Sequence, residues 1–242
     1  MQFYFIRHAQ SSNNLLWDTT QSSVGRSEDP ELTAVGKQQA EQLARFLAQS
    51  NPHITVRGID YQNATGFGIT HVYSSLMMRA VATGAAVAHA LDLQLIGLED
   101  LHEWGGIYLQ NRETGEYAGL PGKTRSHFES HYPNLLLPAS VDEAGWWKQR
   151  PREEETQVVA RAKRVWNELV TRHSGTHDRV AVITHGAFSS VLMRTIFKMQ
   201  LTAENFWLVM NNVALTRIDL ESNQVVLVYL NKIDYLASEL IT

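Results

Sequence analysis

Two short runs set the strongest limit on the fold. Residues 2–6 read QFYFI and residues 179–184 read RVAVIT, dense in aromatic and β-branched side chains and suited to buried strands. Helix-like stretches alternate with such runs. Thr33 can cap one in which Gly36, Ala40, Leu43, Ala44 and Leu47 share a face at three/four spacing. Ser75 is expected to cap a second, with Met77, Val81, Gly84, Ala88 and Leu91 inward. Residues 153–173 form a third, with Val158, Ala162, Val165, Trp166 and Leu169 in register, and a fourth runs from about Phe188 to Phe197. HVYS (71–74) and LQLI (93–96) read as strands. VALTRIDL (213–220) and QVVLVYL (224–230) read as a terminal hairpin turning through Glu221, Ser222 and Asn223. The expected fold is α/β: a three-layer sandwich with a mostly parallel central sheet and helices on both faces.

Two stretches fit neither pattern. Residues 50–69, with Pro52, Gly58, Gly66 and Gly68, read as a connection. Residues 104–150 hold six glycines and three prolines and form a long excursion, of the kind that usually serves as a lid or binding loop. At roughly 150 residues per domain, 242 residues permit one large domain, and a single domain over 1–242 is expected with 104–150 as its substrate-lid insertion.

Composition removes several functions. Charged residues make up 19% of the chain, too few for a disordered protein, and a pI near 6.2 leaves no electrostatic case for binding nucleic acid. The absence of cysteine excludes disulfides, thiolate catalysis and Cys-ligated zinc. The N-terminal apolar run ends at Arg7, too early for a secretory signal, and no apolar stretch is long enough for a membrane. A cytoplasmic location and no membrane partner are expected.

The chemistry collects where strands end. The first strand delivers Arg7 and His8, RVAVIT delivers His185, and HVYS leads into a helix whose first turn carries Arg79. In open α/β sheets ligands sit outside the carboxyl ends of the strands. Two arginines, two histidines and helix N-termini gathered there would suit a small dianion such as phosphate.

The residues RHAQSSNN (7–14) resemble the Arg-His-Gly-x-Ser/Thr-x-x-Asn signature of the histidine phosphatase superfamily, in its phosphoglycerate-mutase-like branch. The resemblance continues through DPELTAVGKQQAEQLA (29–44), VYSSLMMRAVATG (72–84), LHEWGG (101–106) and VITHGAF (182–188). It implies that His8 is a nucleophile that becomes phosphohistidine, and that Arg7, Asn14, Arg79 and His185 surround the phosphoryl group. It also implies that Glu103 is the proton donor, and that neither metal nor cofactor is required.

Departures from the family pattern separate its branches. Ala9 and Gln10 stand where Gly and Glu are common, and Ala187 stands where the mutases have Asn. The excursion lacks the mutases' adjacent arginine pair, its basic residues Arg112, Lys123 and Arg125 being dispersed. These differences favour a hydrolase of a small phosphorylated metabolite. The alternatives are a cofactor-dependent phosphoglycerate mutase and a non-catalytic binder of phosphorylated ligands. A metallohydrolase built on His127 and His131 is the remaining rival, although no third ligand is evident in HFESH. The edge of the terminal hairpin could pair two copies in a homodimer.

Overall fold

The computed structural model describes residues 1–199, 207–221 and 224–242. In chain order its elements are β1 (Gln2–Arg7), α1 (Ser12–Thr20), α2 (Ala34–Leu47), β2 (His71–Ser74), α3 (Met78–Ala90) and β3 (Leu95–Gly97). The excursion then contributes β4 (Tyr108–Gln110), β5 (Tyr117–Gly119), α4 (Arg125–His131) and β6 (Leu135–Leu136). The chain returns through α5 (Glu155–His173), β7 (Arg179–Thr184) and α6 (Gly186–Ile196) to β8 (Leu215–Glu221) and β9 (Gln224–Lys232). Among the described residues no helix is long and apolar enough to cross a membrane.

Seven strands form one sheet in the order β6-β3-β2-β7-β1-β8-β9. Pairing is parallel from β6 to β1, and β8 and β9 are antiparallel. The expected mostly parallel sheet is therefore present, with its terminal hairpin. Glu221 pairs with Gln224, while Ser222 and Asn223 of the expected turn lie outside the described residues.

The apolar runs explain the layering. Tyr4 and Ile6 of β1 with Ala181 and Ile183 of β7 pack against the Leu43 face of α2 and the Val81 face of α3. Their neighbours Phe3, Phe5, Val180 and Val182 point the other way, onto Val158, Val165 and Leu169 of α5 and Phe188 and Leu192 of α6. A strand buried on both sides needs apolar residues at consecutive positions, and these two have them.

Some boundaries differ from the sequence reading. Ser75 is not the cap of α3. That helix starts at Met78 after Met77, and its first amide donates to Asp29 Oδ1 at 2.9 Å. Helix α6 begins at Gly186, two residues early, because Glu103 accepts from the amides of Ala187 and Phe188. In both cases a carboxylate remote in sequence supplies the cap. Strand β3 starts at Leu95, not Leu93, since the Leu93 amide still closes the end of α3 on Ala88.

The excursion holds more regular structure than its glycines suggest. Strands β4 and β5 make an antiparallel hairpin, and β6 joins the main sheet beside β3. Trp146 and Trp147 are buried with Phe128 and Val141 in the α2/α3-side core.

Candidate active site

The site forms at the carboxyl ends of β1 and β7, where the chain leaves the sheet. The loop after β1 is fastened from several sides. His8 N–H donates to Thr184 O, Ala9 N–H to Thr83 Oγ1, and Gln10 N–H to Gln39 Oε1. Gly36 allows α2 to press on this loop, because a Cβ there would stand 2.0 Å from the Gln10 carbonyl oxygen.

His8 is 3% exposed, and its two nitrogens are distinguished. Nδ1 lies 2.7 Å from the carbonyl oxygen of Ala9, which can only accept, so Nδ1 bears the proton. Nε2 receives Arg79 Nε at 3.0 Å, so its lone pair faces the guanidinium. Burial, followed by the charges of Arg79 and Arg7, holds the His8 imidazole well below its usual pKa. A neutral imidazole thus points a lone pair at Arg79, with the charge of Arg7 nearby. His185 lies behind it with ring centroids 5.0 Å apart, and is likewise held well below its usual pKa by burial and by Arg79. Its Nε2 meets Ser75 Oγ at 2.9 Å. Four buried side-chain atoms here lack a partner among the described residues: Arg7 Nε, Arg26 Nε, Asp29 Oδ2 and His185 Nδ1.

Arg79 is buried from the first turn of α3. Besides His8 it reaches Met77 Sδ at 3.2 Å and lies 3.9 Å from Asp29 Oδ1. Burial pushes the Asp29 carboxyl up to about 6 despite that arginine. Glu103 sits across the site, its Oε1 accepting from Trp104 N–H and Phe188 N–H and its Oε2 from Ala187 N–H. Asn14 belongs to α1, where it forms a reciprocal capping pair with Ser11.

Arg7, His8, Asn14, Arg79 and Glu103 line one cavity of about 780 Å³, and His185 lies beside His8. All six residues singled out in the sequence are therefore brought together. The helix N-termini contribute less than expected, since Asp29 occupies the first amide of α3 and Glu103 the second and third of α6.

Three contributors were not singled out. Asn212 is buried and donates to the His8 carbonyl at 2.8 Å. Asp29 was legible only as one letter of a longer motif. Arg161 of α5 forms a two-pronged pair with Glu153 at 2.8 and 2.6 Å and donates to the carbonyls of Asp100 and His102. It thereby holds the segment that carries Glu103. Replacing it by Met leaves the buried Glu153 carboxylate unpaired, and should lower unfolding free energy by about 3–5 kcal/mol in urea titrations. An unchanged denaturation midpoint would remove Arg161 from this supporting role.

His127 and His131 do not gather a third donor among the described residues. Their rings stack at 4.3 Å, and His131 Nδ1 lies against the His127 carbonyl. The one three-donor group found among those residues is His71, His173 and Asp178, at the opposite end of β2. There His173 Nδ1 meets Asp178 and Nε2 meets the Tyr73 hydroxyl.

A family model described as histidine phosphatase superfamily (branch 1) matches residues 3–57 and 61–233. The chain belongs to the histidine phosphatase superfamily. Among its relatives is a Hydrogenobacter thermophilus protein named "Putative phosphoserine phosphatase 2", 26% identical over 96% of each chain. A Latilactobacillus sakei protein named 2,3-bisphosphoglycerate-dependent phosphoglycerate mutase 1 is 28% identical over 79% of this chain and 77% of its own. The fold is shared with Bacillus stearothermophilus YhfR, at TM-score 0.60 and 18% identity over 97% of this chain and 98% of that one. Family and relatives together make this histidine phosphatase a phosphatase or mutase enzyme.

Proposed function

We propose that the protein hydrolyses phosphomonoesters through a phosphohistidine at His8, without a metal. The observation that carries this reading is the His8 imidazole itself, protonated at Nδ1 with its Nε2 lone pair turned toward Arg79 inside the cavity. Nε2 attacks phosphorus, and the bond from phosphorus to the ester oxygen breaks. Arg79, which donates to Nε2 in the resting site, turns to a phosphoryl oxygen, and Arg7 and His185 supply further donors from their unpartnered atoms. Glu103 is the one carboxyl among the described residues lining the cavity; released from the amides of Trp104, Ala187 and Phe188 and protonated, it gives its proton to the departing oxygen. It then takes a proton from the water that splits the nitrogen–phosphorus bond, which frees inorganic phosphate and restores His8. The hairpin β4–β5 serves as the lid, tied to the cavity rim where Arg26 donates to the Tyr108 hydroxyl.

The hydrolase reading is favoured over a mutase by the cations. Those lining the cavity among the described residues are Arg7, Arg26 and Arg79, which leaves Arg26, with one nitrogen bonded to Tyr108, as the single cation beyond the phosphate-binding pair. Phosphate release should therefore proceed from simple monoesters in excess EDTA. With 3-phosphoglycerate no 2-phosphoglycerate should form, with or without 2,3-bisphosphoglycerate. Isomerisation in that assay would establish the mutase, and loss of activity restored by Mg²⁺ or Zn²⁺ would establish a metal requirement.

A further inference from the structure

We infer that the preferred leaving group is a large apolar or aromatic alcohol without a second anionic group, seated between Trp17 and Trp207. The inference rests on the hydrolase reading. Its first support is size. A cavity of about 780 Å³ lies within the roughly 300–1,000 Å³ range that holds whole organic ligands, and the phosphate-binding residues are only part of its lining.

The second support is the chemistry of the rest of that lining. Leu16 and Trp17 of α1 line the same cavity, as do Trp207, Val209 and Met210. Trp17 is 52% exposed, Trp207 50% and Val209 80%. Single exposed apolar residues are ordinary, but three bordering the mouth of one catalytic cavity form a surface that a ligand can cover. Packing does not account for Trp17, since α1 buries no residue at all. Trp207 is held upright by stacking on Trp104 at 6.2 Å, and the Trp104 indole is itself anchored to the Glu153 carbonyl. These two indoles are therefore aromatic walls continuous with the phosphate site.

The third support is charge. A phosphoglycerate, a phosphoamino acid or a bisphosphate brings a carboxylate or a second phosphate. Beyond Arg7 and Arg79, the cavity offers only Arg26 among the described residues, with its guanidinium 4.7 Å over the Tyr108 ring and bonded to that hydroxyl. A second anion would find this single cation, its buried Nε unpartnered, whereas an apolar group displaces only water from the indoles.

Comparison of 2-naphthylmethyl phosphate, ethyl phosphate and 3-phosphoglycerate tests the idea, since all three release an alcohol. The naphthylmethyl ester should lead in kcat/KM by about 10- to 100-fold, the range expected for burying one aromatic group. In Trp17→Ala and in Trp207→Ala its advantage over ethyl phosphate should shrink several-fold. Titration calorimetry with His8→Ala protein gives a readout independent of turnover, and there too the naphthylmethyl ester should bind most tightly. Equal binding of the three esters, or an advantage that survives both Trp substitutions, would overturn the inference. No turnover of any ester, with selective binding retained in the calorimeter, would instead sink the hydrolase reading and support the aromatic walls.

Discussion

A His8→Ala protein should take up no phosphoryl label from a phosphomonoester, and its turnover should fall on the order of 10⁴-fold or more. The wild-type phosphoenzyme should survive alkali and be lost in acid, as a nitrogen–phosphorus bond is. The size of the effect follows from how the imidazole is prepared. The Ala9 carbonyl fixes the proton on Nδ1, and burial beside two arginines keeps Nε2 unprotonated. An alanine leaves both guanidiniums in place, so the ester can still bind while nothing attacks its phosphorus. Rapid-quench labelling separates the two events. Label retained in the variant would place the nucleophile elsewhere.

Arg79→Lys should lower kcat/KM by about 10²- to 10³-fold while circular dichroism and urea midpoints stay near those of the wild type. The substitution keeps a positive charge, so a purely electrostatic role would be largely preserved. What it removes is the fork. The guanidinium at present spans His8 Nε2, Met77 Sδ and the neighbourhood of Asp29, three directions that one ammonium cannot serve from one position. Bidentate contact with a phosphoryl group as it passes from ester oxygen to histidine needs the same planar spread. Normal kinetics in this variant would take Arg79 out of the reaction.

The parts of the fold legible in the sequence are those decided by burial. β1 and β7 are buried on both faces and show it letter by letter, while α2 and α5 bury one stripe and display its spacing. α1 escaped because SNNLLWDTT has no buried stripe to reveal; its start is fixed by Ser11 and Asn14 bonding each other's backbone. β6 escaped because two leucines become a strand only through pairing with β3, which no local pattern encodes. The site divides in the same way. Arg7, His8 and His185 follow from strand ends, and Arg79 from the turn after one. Glu103 could be found only through family resemblance, because its helix-capping bonds join residues more than 80 positions apart. Asn212 and Arg161 gave no local signal, since each acts through carbonyl groups that any sequence would supply.

The place of β6 has a consequence for how the molecule comes apart. The excursion is not suspended from the domain by two flexible ends. Hydrogen bonds stitch its β6 to the margin of the sheet, and its paired indoles lie in the same core as α2 and α3. To peel it away, the molecule would have to unpair β3 and open that core, so this stretch does not melt alone as a separate cooperative unit. The hairpin β4–β5 differs, since its ladder spans only three residue pairs and stands outside the main sheet. In the lid role proposed for it, opening of this hairpin would leave the sheet that carries His8 folded.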